Sequence, residues 1–297
     1  MATRPPRGEC LYEIRRMVLD DLDFAVKITQ QEGWGYDRND MQRILRWSPD
    51  GCFVVWMDGS RVGLTTTLFY GTFGWVGNVV ISKDCRRRGV GTSLMRHVIS
   101  HITGRGARGT RLFAYENTIP FYEGMGFRHE GRAQVYRRSA AKWGPVLSPP
   151  GFMVAPIRRE DQPLALAMDS EAFGGDRSHV LKTVWQENPG LSYGLWEEEH
   201  RRLRGVIVAK KVLGNIEVGP WLCDLPGTAG PLALLDTLLS TTDTLTFMAV
   251  PDAQAELVKA LGTRGFTAID AVYGMYIGQP PPMRMDRVLA YGALEKG

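Results

Sequence analysis

The chain has 297 residues, of which 44% are hydrophobic and 23% charged, an ordinary composition for a globular protein. That length favours two domains of about 150 residues each. Its four cysteines, Cys10, Cys52, Cys85 and Cys223, show no C-x-x-C spacing, which speaks against a zinc site or a disulfide framework. No apolar run approaches the roughly 20 residues of a membrane span, and "MATRPPRGEC" has no signal-peptide core, so a cytoplasmic location is expected. The net charge of +4 divides unevenly: residues 1–145 hold 22 Lys+Arg against 14 Asp+Glu (+8), and the rest hold 14 against 18 (−4). An anionic ligand therefore belongs with the first half, although drift in surface charge would give the same imbalance.

Taken in chain order, "YEIRRMV" reads as a strand over 12–18. A helix follows, with Asp20 or Asp21 as N-cap and apolar residues at Leu22, Ala25, Val26 and Ile28. A second helix covers "RNDMQRILRW". Three β-rich runs from Gly51 to Ser82, punctuated by "DGS" and "GTFG", predict an antiparallel meander. Then come a helix over about 90–104, a strand "TRLFAYE", a short helix "TIPFYEGMG" and a strand near "HEGRAQVYRR". The Pro-, Gly- and Ser-rich stretch at 137–152 is the natural seam. Beyond it the order recurs. "FMVAPIRRED" opens as "YEIRRMVLDD" does, a meander follows, and then helix, strand "LTFMAV", helix "AQAELVKALGTRG" and strand "DAVYGMYIG". The chain reads as two divergent copies of one mixed α/β fold, each a mostly antiparallel sheet flanked by helices.

Chemistry concentrates in "SKDCRRRGVGTSLM", residues 82–95, between the meander and the third helix. A Gly-rich strand-to-helix turn presents successive backbone N–H groups at the positive end of a helix, an arrangement suited to phosphate. The stretch lacks G-x-x-x-x-G-K-[ST], and it lacks the full dinucleotide fingerprint with its later acid. Nucleic-acid binding through "RRR" and "RGARGTR" has little support, since no aromatic stacking platform or recognition helix accompanies them.

Together, "GWVGNVVISKDCRRRGVGTSLM" and "ENTIPFYEGMGF" resemble the GNAT superfamily of acyl-CoA-dependent N-acyltransferases over about residues 10–140. The [R/Q]-x-x-G-x-[G/A] signature falls on Arg86, Gly89 and Gly91, and the tyrosine helix ahead of Gly-Phe on Tyr122, Gly126 and Phe127. The resemblance implies a tandem protein: a catalytic domain at 1–140, a linker at 141–151 and a degenerate copy at 152–297. It further implies that Val79, Val80 and Ile81 pair with the pantetheine arm of acetyl-CoA. The amides of Arg87, Arg88, Gly89, Val90, Gly91 and Thr92 would hold the pyrophosphate, with Arg86 and Asn117 alongside. Tyr122 becomes the expected general acid for the departing thiolate, its alternative being a core-packing role. Trp34 and Tyr36 line an amine pocket or pack helices.

Relatives often carry a glutamate on the strand before the loop, but "GWVGNVVIS" has no acid. Glu32, Asp37, Asp40 and Glu116 remain unassigned as bases. In the second copy the corresponding stretch, "GPWLCDLPGTAGPLALL", has no arginine, carries Pro226 and Pro231, and has Leu261 at the tyrosine position. That copy is expected to bind no acetyl-CoA. It would cover the first copy's cleft, form a homodimer surface, sense a ligand or act as a buttress. The expected activity is direct acetyl transfer to a primary amine of a small molecule or peptide, with neither metal nor covalent intermediate and with no nucleic-acid or membrane partner. The alternative is a non-catalytic acyl-CoA sensor.

Overall fold

The computed structural model describes residues 12–144 and 146–297. Its first half runs β1 (Tyr12–Arg16), α1 (Leu22–Gln31), α2 (Arg38–Trp47), β2 (Cys52–Met57), β3 (Ser60–Phe69), β4 (Phe73–Ile81), α3 (Val90–Gly104), β5 (Gly109–Tyr115), α4 (Ile119–Glu123) and β6 (Arg128–Arg138). Its second repeats the order as β7 (Phe152–Pro156), α5 (Gln162–Phe173), α6 (Ser178–Glu187), β8 (Ser192–Glu197), β9 (Arg202–Val212), β10 (Asn215–Cys223), α7 (Ala229–Ser240), β11 (Thr246–Pro251), α8 (Ala255–Thr263) and β12 (Phe266–Gly278). A short extra strand, β13 (Val288–Ala290), follows. Among the described residues no helix is long and apolar enough to cross a membrane.

The helices sit where their apolar stripes require. Val90, Leu94, Met95, Val98 and Ile102 form one buried face of α3, which packs on Phe53, Val55, Val76 and Leu112 of the sheet. Leu22, Ala25 and Ile28 of α1 join Met41 and Ile44 of α2 on the opposite face, against Val54, Leu64 and Val80. The central strand β4 is therefore covered on both sides, which explains its nearly unbroken apolar sequence. In the second half Leu234, Leu235, Leu238 and Leu239 of α7 pack on Ile207, Val218 and Trp221 in the same way.

All the described strands belong to one sheet, in the order β1-β2-β3-β4-β5-β12-β6-β11-β10-β9-β8-β7, with β13 beside β10. The halves exchange their closing strands. β12 pairs antiparallel with β5 from Val272↔Tyr115 to Gly278↔Gly109, and β6 pairs with β11 from Thr246↔Arg138 to Pro251↔Ala133. Each half thus completes its partner's sheet, and β6 and β12 lie against each other at the centre.

Candidate functional site

β4 and β5 run parallel and pair only over Phe73–Val76 against Gly109–Leu112. Beyond Val76 they part, while β4 stays bonded to β3 through Val80 and Ile81. The divergence begins at a bulge: the register against β3 shifts between Leu64 and Thr66, and Asn78 adopts a left-handed φ of 53°. Asn78 Nδ2 donates to Thr66 Oγ1 at 3.1 Å, and Thr65 Oγ1 donates to the Gly77 carbonyl at 3.0 Å, which fixes the kink. The edge of β4 from Gly77 to Ile81 thereby faces open space instead of a strand.

At the end of β4 the chain turns into α3. Arg87 (φ 59°) and Gly89 (φ 78°) are both left-handed, and Gly89 is the N-cap of α3. Among the described residues no side chain caps this helix, and its first turn holds no acid. The first intrahelical bond comes only at Ser93 N to Gly89 O, 3.0 Å, so the amides of Val90, Gly91 and Thr92 have no intrahelical acceptor. At Gly91 a Cβ would meet nothing nearer than Phe121 at 3.6 Å, and at Gly89 nothing within 4 Å. Uncapped amides, a helix dipole and room beside the main chain suit a phosphate. The Arg86 side chain serves the loop itself: its Nε donates to the Ile81 carbonyl at 2.8 Å and its Nη2 pairs with Glu32 at 2.5 Å.

A cavity of about 1400 Å³ follows the open edge of β4, and most of the residues predicted for the site line it: Trp34, Tyr36, Val79, Val80, Ile81, Arg86, Arg87, Gly89, Gly91, Thr92, Asn117 and Tyr122. Val90 instead turns its side chain into the core, and Arg88 is not on the cavity wall. Tyr122, on α4, is 7% exposed and packs edge-on to Phe121 and Phe127 at 5.0 and 5.7 Å. Burial alone pushes its phenol well above the ordinary tyrosine range. It therefore both packs the core and reaches the cavity.

Three of the four candidate bases are engaged elsewhere. Asp37 caps α2 by accepting the Asp40 amide at 2.8 Å, and Asp40 accepts the Asp37 amide at 3.0 Å and pairs with Arg43 at 3.1 Å. Glu32 is tied to Arg86, and Glu116 stands exposed at the cavity wall. The acids that sequence reasoning missed come from the second half. Lys210, Glu217, Glu295 and Lys296 line the same cavity as a buried cluster. Burial first, and then the carboxylates of Glu295 and Glu217, raise the Tyr36 phenol. Only the non-local fold brings these groups to the cavity; spacing in the chain gives no sign of it.

The second half treats its own gap differently. β10 and β11 pair only at Ile216–Glu217 against Thr246–Phe247 before they part. β13 then enters, pairing with β10 at Trp221↔Ala290 and Leu222↔Val288, while the Tyr291 amide bonds the Ala249 carbonyl of β11 at 3.0 Å. Gly219 permits the approach, since a Cβ there would fall 1.7 Å from the Tyr291 carbonyl oxygen. Leu261, which stands before Phe266 as Tyr122 stands before Phe127, is fully buried among apolar side chains. Of the described cysteines, Cys52 and Cys223 are buried, with their thiols pushed up to about 12 and about 11, which makes both poor nucleophiles at neutral pH. Cys10 lies outside the described residues.

The model of the Acetyltransferase (GNAT) family matches residues 19–127, and that of an Acetyltransferase (GNAT) domain matches residues 165–290. The chain is 25% identical over 175 residues to the uncharacterised N-acetyltransferase YitH of Bacillus subtilis, a match covering 58% of this chain and 60% of that protein. That is less than two thirds of the relative. In fold it is similar to a crystal structure from Pyrococcus horikoshii assigned as an acetyltransferase, with a TM-score of 0.80, 19% identity and full coverage of both chains. It is also similar to a tandem GNAT protein from the clavulanic acid biosynthesis pathway, with a TM-score of 0.64, 16% identity and coverage of 91% and 99%.

Proposed function

Since the chain belongs to the GNAT superfamily, with two such domains in tandem, we propose that it is an acetyl-CoA-dependent N-acetyltransferase whose first half carries the reaction and whose acceptor is a primary amine. One observation carries this reading: the open edge of β4, the uncapped start of α3 and Tyr122 all face a single cavity.

Acetyl-CoA supplies an acyl group activated as a thioester. The residues present fit it. The amides of Val90, Gly91 and Thr92, with Gly89 turning the loop beneath them, would hold the pyrophosphate, and Arg87 adds positive charge at the same wall. The unpaired edge of β4 at Val79, Val80 and Ile81 offers strand-type donors and acceptors to the pantetheine amides. A free strand amide there is the donor available to the acyl oxygen, where hydrogen bonding matters most as charge develops. Tyr122 keeps its proton at neutral pH because burial raises its phenol, so its Oη can deliver that proton to the departing sulfur. Asn117, exposed at the cavity wall, would lie beside the pantetheine arm. The second half would take no acetyl-CoA, because β13 occupies the gap where a pantetheine arm would pair.

The test is release of free thiol from acetyl-CoA across a panel of primary amines, with calorimetry of acetyl-CoA binding alongside. Turnover with at least one amine, greatly reduced in Tyr122→Phe, is the expected result. Tight binding with no amine turned over would leave the sensor reading instead.

A further inference from the structure

The acid missing from β4 has a substitute supplied by the other half. Past β13 the chain leaves the second half's gap and crosses to the first. There Glu295 sits directly on β4: a Cβ at Gly77 would fall 2.6 Å from the Glu295 carbonyl oxygen and 2.8 Å from its Cβ. Gly77 is the first residue of β4 beyond its pairing with β5, so Glu295 stands at the point where the strands part.

This placement is built. Trp75 Nε1 donates to the Leu294 carbonyl at 3.0 Å, Tyr70 Oη donates to that of Lys296 at 2.7 Å, and Arg177 donates to that of Gly297. Arg177 is in turn clamped by both oxygens of Asp169, at 2.7 and 2.9 Å. With three carbonyls held by side chains of both halves, the segment is locked and Glu295 is directed to the cavity wall. Lys296 and Lys210 both reach its Oε1, the latter at 3.8 Å, and Lys210 also pairs with Glu217 at 2.5 Å.

The cavity wall carries further carboxylates outside the cluster. Glu116 and Asp270 line the same cavity without an ion-pair partner among the described residues. Burial lowers the Lys296 ammonium below the ordinary lysine range. The adjoining wall is aromatic, with Trp34, Tyr36 and Trp47.

We propose that Glu295, carried into the first half's cavity by the segment after β13, is the anchor for the acceptor, binding the ammonium of a primary amine whose carbon skeleton lies on the aromatic wall. The proposal rests on the acetyltransferase reading for its meaning but has a test of its own.

That test is calorimetric titration of phenethylamine into the full chain saturated with coenzyme A, a setting in which no transfer occurs. Glu295→Gln should bind the amine roughly 30-fold more weakly or worse, as expected when one member of a desolvated charge pair is removed. Its affinity for coenzyme A should stay unchanged, which also certifies the fold. Glu295→Asp, which retains the charge but withdraws it by one methylene, should lie between the two. Phenethylamine binding equally well to all three proteins, failure of the wild type to bind it, or preferential binding of phenylacetate would each overturn the proposal. The two readings fail separately. A wild type that binds the amine through Glu295 yet acetylates none sinks only the catalytic reading, and a Glu295→Gln enzyme with an unchanged amine KM sinks only the anchor.

Discussion

In the first half β4 and β5 part after Val76 and the gap opens onto a large cavity; in the second, β10 and β11 part after Glu217 and β13 fills the gap. The same element order therefore serves two purposes. The filled groove is also the route by which the chain reaches the open one, since Tyr291 bridges the second gap and Glu295 lands on the first. The second copy thus supplies Lys210, Glu217, Glu295 and Lys296 to the cavity wall of the first.

The largest expected effect breaks the comparison at the proposed proton donor, Tyr122. Tyr122→Phe should lower kcat by about 100-fold or more, the range general-acid groups supply, and leave acetyl-CoA affinity intact. Because Tyr122 is buried against Phe121 and Phe127, removing only the hydroxyl preserves the packing. A loss of less than about threefold in single-turnover kinetics would assign Tyr122 to the core alone.

Next comes a matched pair in the two loops. Gly89 and Gly227 have nearly the same φ, 78° and 79°, and neither has an atom within 4 Å of a would-be Cβ. Valine at either position should cost a similar amount of stability, about 1–3 kcal/mol, because both are left-handed. Only Gly89→Val should weaken acetyl-CoA binding, by roughly tenfold or more, since only that loop fronts the cavity. Equal calorimetric losses in the two variants would mean that both loops hold phosphate.

Gly219→Ala probes the link between the grooves. Its Cβ would strike the Tyr291 carbonyl, and overpacking of this kind costs about 1–3 kcal/mol, which lowers Tm by several degrees. If the displaced segment also withdraws Glu295, the amine KM should rise while the acetyl-CoA KM holds. A lower Tm with both constants unchanged would separate the plug from the anchor.

How far the sequence reveals this arrangement depends on the range of each interaction. α3 was legible to the residue, because Gly89 and the 3.6-residue stripe from Val90 to Ile102 are local signals. The duplicated element order was legible too, through "EGMGF" and "GTRGF". The strand exchange was not: β6 and β12 carry patterns that fit beside any strand, and alternation sets which face is buried without naming the neighbour. The same holds for Glu295. It lies 218 residues from Gly77 in the chain, and "ALEKG" has no periodicity to mark it. The exchanged sheet and the carbonyl clamps of Trp75, Tyr70 and Arg177 bring it to β4.

The smallest expected effect is an absence, and its sign follows from burial. An unperturbed tyrosine loses its proton at pH about 10, and an acid with that value would give a kcat profile falling through that pH. Burial disfavours the phenolate of Tyr122 and no neighbouring cation among the described residues offsets it, so the phenol keeps its proton to higher pH. The donor form is the protonated one. Activity should therefore hold across pH 10 until the fold or the acyl donor fails. In the second half Leu261 has no proton to offer at any pH, so a falling limb near 10 could not be charged to that copy. A wild-type kcat halved near pH 10, with Tyr122→Phe flat over the same interval, would show the Tyr122 hydroxyl to be solvated and the packing around α4 looser than the structure has it.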